Sequence, residues 1–140
     1  MKVKAAAKIN LMLDILKRLD NGYHSLFMIM QSVDLFDVVT VDKNNENKII
    51  IECDKDGVPC NEKNIAYKCA MKFFEYCNIN DNGVTIKIEK NIPMAAGVAG
   101  GSADGAAVIY CLNKVFNTNL SQKELCEIGK QDKSNRKRLF

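Results

Sequence analysis

Residues 92–107 read Ile92-Pro93-Met94-Ala95-Ala96-Gly97-Val98-Ala99-Gly100-Gly101-Ser102-Ala103-Asp104-Gly105-Ala106-Ala107, and this stretch decides the fold. Before it, residues 83–90 alternate apolar and polar side chains, which predicts a β-strand. After it, residues 103–115 are rich in alanine, which predicts an α-helix. A strand, a Gly/Ala loop and a helix in this order can direct the unpaired N–H groups of the helix N-terminus at a phosphate.

Two interpretations of this loop remain open on the residues alone. In the first it is a phosphate site, because glycine and alanine let backbone N–H groups approach an anion closely. Ser102 would then cap the helix, or offer its hydroxyl to a metal or a phosphate oxygen. In the second it is a tight turn that leads into a close-packed alanine helix. Two common phosphate-loop patterns, G-x-x-x-x-G-K-[ST] and G-x-G-x-x-G, are absent.

The pattern that remains is P-x-x-x-G-x-x-G-G-S-x-[DN]-x-A-A, and it resembles the ATP loop of the GHMP kinases. Within that family it is most similar to the kinases that act on 4-diphosphocytidyl-2-C-methyl-D-erythritol, with Val98 and Ala103 in place of a Leu and a Ser. The resemblance implies ATP as co-substrate and Mg²⁺, with Ser102 as a candidate metal ligand. The implied ATP-binding residues in the loop are Pro93, Met94, Ala95, Ala96, Gly97, Val98, Ala99, Gly100, Gly101, Ser102 and Ala103.

The resemblance also implies the architecture. It predicts an α+β fold of the ribosomal protein S5 domain 2-like type, with a mostly antiparallel sheet and helices packed on one side. Residues 1–131 are expected to form the N-terminal domain of a GHMP kinase, although an incomplete one. Residues 132–140 are expected to be a basic tail that does not belong to the family, and the C-terminal domain is expected to be absent.

Lys8 and Asn10 belong to a second family motif near the N-terminus. The segment Ala6-Ala7-Lys8-Ile9-Asn10-Leu11 is similar to P-A-K-[IL]-N-L of the same kinases, with Ala6 in place of the usual proline. A lysine between small residues on a strand either covers a ligand or points to solvent. The resemblance implies that Lys8 is catalytic, near the substrate hydroxyl, and that Asn10 binds substrate.

Residues 18–26 resemble a third motif of the family, R-x-D-G-Y-H-x-[IL]. Asn21 is an extra or shifted residue of this chain beside the usual D-G. The run Asp20-Asn21-Gly22 predicts a turn, because asparagine and glycine tolerate positive φ. On the residues alone Tyr23 is a half-buried aromatic at a hairpin end. The resemblance implies that Tyr23 stacks on cytosine and that His24 hydrogen-bonds the edge of the base.

The remaining segments predict a sheet-rich first half and a helical second half. Strands are expected at residues 2–7, 9–16, 26–33, 37–41 and 48–53, with residues 42–47 as a hairpin loop. Apolar residues at helical spacing predict a core-packing helix from Asn64, which suits the N-cap. The resemblance adds that Asn64 borders the adenine pocket, so a capping role and an ATP-binding role both stay open.

Ser121-Gln122-Lys123-Glu124 predicts a capping box and a further helix. After Gln131 the hydrophobic pattern ends. At this point the family has a segment similar to V-G-A-D-V-P-F, and the resemblance implies that the Asp of this segment is the catalytic base. Asp132 lies in a different context, so that role is not assigned to it. The expectation is a truncated and inactive form.

Composition limits the functional classes. The chain has 140 residues, 47% of them hydrophobic, so one domain with a core is expected. Residues 130–140 carry a net charge of +4, which leaves −1 on the remainder, so the charge of +3 is no argument for nucleic-acid binding. Six scattered cysteines and one histidine favour reduced thiols in a cytoplasm over a disulfide framework or a zinc site. The N-terminal sequence does not have the pattern of a signal peptide. The sequence contains no apolar run of about 18 residues, so no membrane span is expected.

The resemblance therefore implies a kinase that transfers the γ-phosphoryl group of ATP to the 2-hydroxyl of 4-diphosphocytidyl-2-C-methyl-D-erythritol in the non-mevalonate (MEP) pathway of isoprenoid and terpenoid biosynthesis. The alternative is a non-catalytic nucleotide- or RNA-binding remnant of the same domain. The implied partners are ATP and this small substrate, without a membrane or nucleic acid. Self-association through the face left by the missing domain is a further expectation.

Overall fold

Four strands and three helices make up the fold in a computed structural model, which describes residues 1–20, 22, 24–94 and 97–130. The strands are β1 (Lys2–Arg18), β2 (His24–Lys43), β3 (Ile49–Cys53) and β4 (Val84–Glu89). The helices are α1 (Ile65–Cys77), α2 (Gly100–Val115) and α3 (Gln122–Lys130). The predicted tail at residues 132–140 lies outside the described residues.

The sheet has the order β1-β2-β4-β3, and two of its three pairings are antiparallel. β4 lies between β2 and β3, antiparallel to β2 and parallel to β3. The expectation of a hairpin loop at residues 42–47 was therefore wrong, because β2 and β3 do not pair with each other. α1 makes the crossover between β3 and β4 that parallel neighbours require.

β1 and β2 are longer than the sequence pattern predicted. The strands expected at residues 2–7 and 9–16 form the single strand β1, and those expected at 26–33 and 37–41 form the single strand β2. The pairing of β1 with β2 continues through three shifts of register, which lie between Ala6 and Lys8, between Asn10 and Met12, and between Ile15 and Lys17. The predicted turn is present, since the N–H of Gly22 donates to the carbonyl of Leu19 at 3.0 Å and Gly22 has a φ of 82°. The structure confirms the turn but not the interruptions in the strands.

One face of the sheet carries the core, and the helices pack on it, as the resemblance implied. Alternate residues are buried in the first part of β1, in the last part of β2, and along β3 and β4, among them Ala5, Val39, Ile51 and Ile86. α2 contacts β1 and β2, while α1 contacts β3. Among the described residues, no helix is both long and apolar enough to cross a bilayer.

Two of the three predicted helix starts are confirmed. Asn64 is the N-cap of α1, and its Oδ1 accepts a hydrogen bond of 2.8 Å from the N–H of Ala66. Ser121 and Glu124 form the capping box of α3, in which the N–H of Ser121 donates to Glu124 Oε2 at 2.8 Å. These local signals fix where the two helices begin.

The distal parts of β1 and β2 project beyond the rest of the sheet as a two-stranded ribbon. We name residues 10–18 and 24–31 the arm. Its large apolar side chains are exposed, up to 62% for Leu11 and 60% for Leu16. An isolated two-stranded ribbon is marginally stable in water at best, so this apolar surface is well suited to contact another molecule or domain.

A close helix–helix contact fixes α2 against α1 at Gly105. A Cβ added to Gly105 would lie 2.8 Å from Cys69 Sγ and 3.1 Å from Ile65 Cγ2. Both neighbours belong to the packed interface between the two helices, so there is no room for a side chain at this position. Glycine at residue 105 therefore serves packing.

Replacing Gly105 by alanine is expected to lower the free energy of unfolding by about 1 kcal/mol net, because overpacking outweighs the gain in helix propensity. Gly129→Ala in α3 is the matched control, since its Cβ would meet only Ile109 Cδ1 at 3.8 Å. That variant should be neutral or more stable by up to about 1 kcal/mol. Urea denaturation of both variants measures the difference, and equal effects would contradict this account of the interface.

Candidate functional site: a loop at the N-terminus of α2

The loop between β4 and α2 ends at a helix N-terminus that has no side-chain cap. The N-cap is Ala99, which makes no capping hydrogen bond, and the first turn contains no acidic residue. The first N–H groups of an α-helix have no intrahelical acceptor and carry the positive end of the helix dipole. The start of α2 therefore has the chemistry of an anion site.

Ser102 lies within the first turn of α2 and is exposed. The interpretation of Ser102 as the helix N-cap is thus wrong, since the helix begins at Gly100 and not at Ala103. Its hydroxyl remains accessible for a phosphate oxygen or for Mg²⁺, which prefers oxygen ligands and takes few of them from protein. Among the described residues, no three His, Cys, Asp or Glu side chains lie together in a way that could hold a metal ion.

The glycines of the loop meet two different requirements. Gly97 has a φ of 72°, and a Cβ there would meet nothing within 4 Å, so its backbone conformation is the reason for glycine. Gly100 is in the opposite situation, because a Cβ would lie 2.9 Å from Ile92 Cγ2. A side chain at Gly100 would therefore disturb the support of the loop before it could block a ligand.

Ala99 takes a left-handed conformation with a φ of 61°. This region costs a residue with a Cβ roughly 1–2 kcal/mol. Such strain persists only where the surrounding structure imposes it, and it is typical of functional loops. The turn at Ala99 directs the chain into α2 without a polar cap.

Lys8 lies beside this loop, although about ninety positions separate them in sequence. The N–H of Lys8 donates to the carbonyl of Val98 at 3.2 Å, at the first shift of register in β1. Its side chain is half-buried. The irregularity in β1 thus frees a backbone group that holds β1 to the loop.

A buried ion cluster lies under the loop, and the sequence analysis did not identify it. Lys90 Nζ bonds Asp104 Oδ2 at 2.8 Å and also bonds Asp37 Oδ2. The Lys90, Asp37 and Asp104 side chains are 6%, 0% and 6% exposed. Asp37 Oδ1 accepts from the N–H groups of Asn91 at 2.6 Å and Ile92 at 2.8 Å.

A signal for this cluster was present in the strand pattern. Residues 84, 86 and 88 face the core, so Lys90 is next in the same period, and Asp37 precedes the buried Val39 and Val41 in the same way. In the antiparallel pairing of β2 with β4, Val38 lies opposite Glu89. Continued by one residue, the same register places Asp37 opposite Lys90. Opposite charges at facing inward positions of two strands predict a buried ion pair.

The three groups of the cluster have shifted pKa values. Burial acts to raise the pKa of Asp37, but hydrogen bonds from the Ile92 amide, Lys90 and the Asn91 amide hold it below its usual value. Burial acts to lower the pKa of Lys90, and bonding to both carboxylates raises it instead. Burial raises the pKa of Asp104 to about 6, against the opposing effect of Lys90 and with the charge of Asp37 adding to the rise. Asp104 is therefore the carboxyl group of the cluster that takes a proton first.

The other candidate residues lie at different distances from the loop. Asn64 is buried, and its Nδ2 donates to the Pro59 carbonyl at 2.8 Å, so both ends of its amide already have partners within α1 and its leading loop. Asn10 and His24 are exposed on the arm. His24 lies opposite Arg18 in the pairing of β1 with β2. Arg18 is roughly 30 Å from Lys8 when measured along β1 at about 3.3 Å per residue. Tyr23, Ala95 and Ala96 lie outside the described residues.

The family model described as "GHMP kinases N terminal domain" matches residues 64–135. A 4-diphosphocytidyl-2-C-methyl-D-erythritol kinase from Clostridium perfringens is 53% identical over 129 residues, which cover 92% of this chain and 44% of that protein. A kinase of the same name from Caldicellulosiruptor bescii is 47% identical over 131 residues, 94% of this chain and 46% of that one. The chain thus spans less than half the length of these relatives.

Solved structures agree with the sequence comparison. A 4-(cytidine 5'-diphospho)-2C-methyl-D-erythritol kinase superposes with a TM-score of 0.73 at 29% identity, covering 92% of this chain and 46% of that one. A mevalonate kinase superposes with a TM-score of 0.69 at 17% identity over 92% of this chain and 45% of its own, which shows a shared fold.

Proposed function

The chain belongs to the GHMP kinases through their N-terminal domain, and we propose that it forms the nucleotide-binding part of an ATP-dependent kinase for 4-diphosphocytidyl-2-C-methyl-D-erythritol. We take residues 1–131 as this domain. The observation that carries the proposal is the uncapped N-terminus of α2, which follows a Gly/Ala loop held against Lys8. Names of relatives about half identical to this chain support the choice of substrate.

The loop and the first turn of α2 bind the phosphates of ATP in this proposal. Backbone N–H groups at residues 100–102 point along the positive end of the helix dipole and stabilise the phosphate oxygens. The remaining positions of residues 93–103 shape the loop around them. The Ser102 hydroxyl is the protein ligand that the first turn of α2 would offer to Mg²⁺, which would supply positive charge to balance that of the phosphates.

Lys8 acts on the acceptor hydroxyl. The reaction forms a bond between the substrate 2-hydroxyl oxygen and the γ-phosphorus, breaks the bond to the bridging oxygen, and releases ADP and the hydroxyl proton. An ammonium beside the loop lowers the free energy of a developing alkoxide and of the transferring phosphoryl group. The hydrogen bond of the Lys8 backbone to Val98 supports this assignment, because it fixes the start of that side chain beside the loop.

The arm binds the cytidine end of the substrate. Asn10 is two residues beyond Lys8, and alternate residues of a strand share a face. Tyr23 stacks on cytosine and His24 hydrogen-bonds its edge. Asn64 borders the adenine of ATP from the start of α1, in addition to its capping role.

A cytoplasmic location is part of the same proposal. The six cysteines form no disulfide in the part of the chain that the structure describes, which contains all of them. Free thiols persist in the reducing cytoplasm, where ATP is also available. Two of them, Cys60 and Cys126, are exposed, and an oxidising compartment would endanger them.

The two halves of the site can be separated by calorimetry with paired variants. Ser102→Ala should weaken MgATP binding about three- to tenfold through loss of one hydrogen bond or metal contact, with the affinity for the cytidine substrate unchanged. His24→Ala should weaken binding of that substrate by about tenfold and leave MgATP unchanged. Each variant is the control for the other. Binding of RNA in place of MgATP by the wild-type chain, or loss of both affinities in both variants, would contradict the proposal.

We also propose that the chain self-associates by packing one arm on the arm of a second copy. The support is the exposure of Leu11, Leu16, Phe27 and Met30, each above half of its surface. Burial of one such side chain contributes roughly 1.5–3 kcal/mol, so a symmetric contact of two arms supplies enough for association at micromolar concentration.

Sedimentation velocity should therefore find a dimer that Leu11→Glu converts to a monomer, because the charge would have to be desolvated in the contact. Tyr76→Glu is the matched control, since Tyr76 is an exposed apolar residue on α1 away from the arm. A monomeric wild-type chain, or a dimer lost in Tyr76→Glu and kept in Leu11→Glu, would rule out the arm as the interface.

A further inference from the structure

The two ends of the loop are joined by one ammonium group. Lys90 directly precedes the loop and Asp104 follows it in α2, and Lys90 Nζ lies 2.8 Å from Asp104 Oδ2. The intervening residues, 91–103, therefore close into a ring through this ion pair. Because a loop with its ends held together has fewer accessible conformations, it has less conformational entropy to lose when a ligand binds.

Asp37 holds the first residues of the same loop from a different strand. Its Oδ1 accepts from the N–H groups of Asn91 and Ile92, while its Oδ2 bonds Lys90 Nζ. A carboxylate with two amide donors and an ammonium partner is fixed in position by three hydrogen bonds. Asp37 belongs to β2, so β2 sets the direction in which the loop leaves β4.

The ammonium also lies against the first turn of α2. A Cβ added to Gly100 would be 3.3 Å from Lys90 Nζ. The cluster thus contacts the inner side of the turn whose N–H groups form the candidate anion site. A displacement of Lys90 would move Gly100, and with it the amides at the helix start.

Stability alone does not explain this arrangement. A buried ion cluster is often no more stabilising than apolar residues of the same volume, because desolvation offsets the attraction. Asp104 Oδ1 is, in addition, buried without a hydrogen-bond partner among the described residues, which a purely stabilising contact would avoid. The cluster does fix three backbone segments in one relative position.

We propose that Lys90 is a positioning residue for nucleotide binding, which holds the loop at residues 91–103 in its binding conformation through Asp37 and Asp104. This inference rests on the proposed function for its ligand, MgATP. It does not require Lys90 to touch the nucleotide, since the side chain is 6% exposed. None of the three residues is one of the ATP-binding residues assigned above.

The test combines amide hydrogen exchange in the ligand-free chain with calorimetry of MgATP binding. In Lys90→Met the amides of Asn91 and Ile92 should exchange at least about tenfold faster, while Ile86 and Ile88 of β4 stay protected. MgATP should bind about tenfold more weakly or worse. In Asp104→Asn, exchange at residues 91 and 92 should change little, because Asp37 keeps its ammonium partner, but MgATP should bind about three- to tenfold more weakly.

Glu89→Gln is the matched control, because it removes the exposed Glu89–Lys2 ion pair next to Lys90 and should alter neither measurement. If Lys90→Met does not fold, the double variant Lys90→Met/Asp104→Asn retains only Asp37 as a buried charge, with its two amide donors, and should reproduce the faster exchange. The proposal would be overturned if the folded variants kept the exchange rates and the MgATP affinity of the wild-type chain. It would also be overturned if Asp104→Asn bound MgATP more tightly, or if β4 lost as much protection as the loop. If the wild-type chain binds no MgATP, the proposed function fails, and the exchange rates alone decide whether Lys90 orders the loop.

Discussion

The buried contact of Lys90 with Asp37 and Asp104 is the interaction on which the rest of the molecule depends. It connects β2, the residue that follows β4, and α2 at one point, where the loop begins. Removal of Lys90 would leave two buried carboxylates without their ammonium partner, and loss of one partner of a buried ion pair typically costs 3–5 kcal/mol. The sheet register, the exit of the loop and the start of the helix are therefore coupled, and none of them can shift alone.

The loop itself combines strain with support. Ala99 and Gly97 have positive φ angles of 61° and 72°, while Gly100 fits closely over Ile92. Local strain of this kind is stable only on a rigid base. The buried cluster supplies that base, and the hydrogen bond from Lys8 to Val98 supplies a second support from β1. An uncapped helix N-terminus then remains directed outward for an anion.

Local signals predicted the helices and the loop, whereas long-range pairings lay beyond sequence reasoning. Asn64 and the Ser121–Glu124 box act within one helical turn, so their sequence sufficed to place the starts of α1 and α3. The insertion of β4 between β2 and β3 depends on packing of a whole βαβ unit, which no single segment encodes. The contact of Lys8 with the loop and the ion cluster likewise require that register first. The roles of Asn10, Tyr23, His24 and Asn64 stay predictions.

The central claim is that the backbone at the start of α2 binds the phosphates of a nucleotide. Titration of the ¹⁵N-labelled chain with MgATP, followed by amide chemical shifts, tests it most directly. The account predicts that the amide signals of Gly97, Gly100, Gly101 and Ser102 move most and saturate with one affinity, while those of the arm and α3 stay in place. Unchanged signals at these four residues, with the largest shifts elsewhere in the chain, would contradict it.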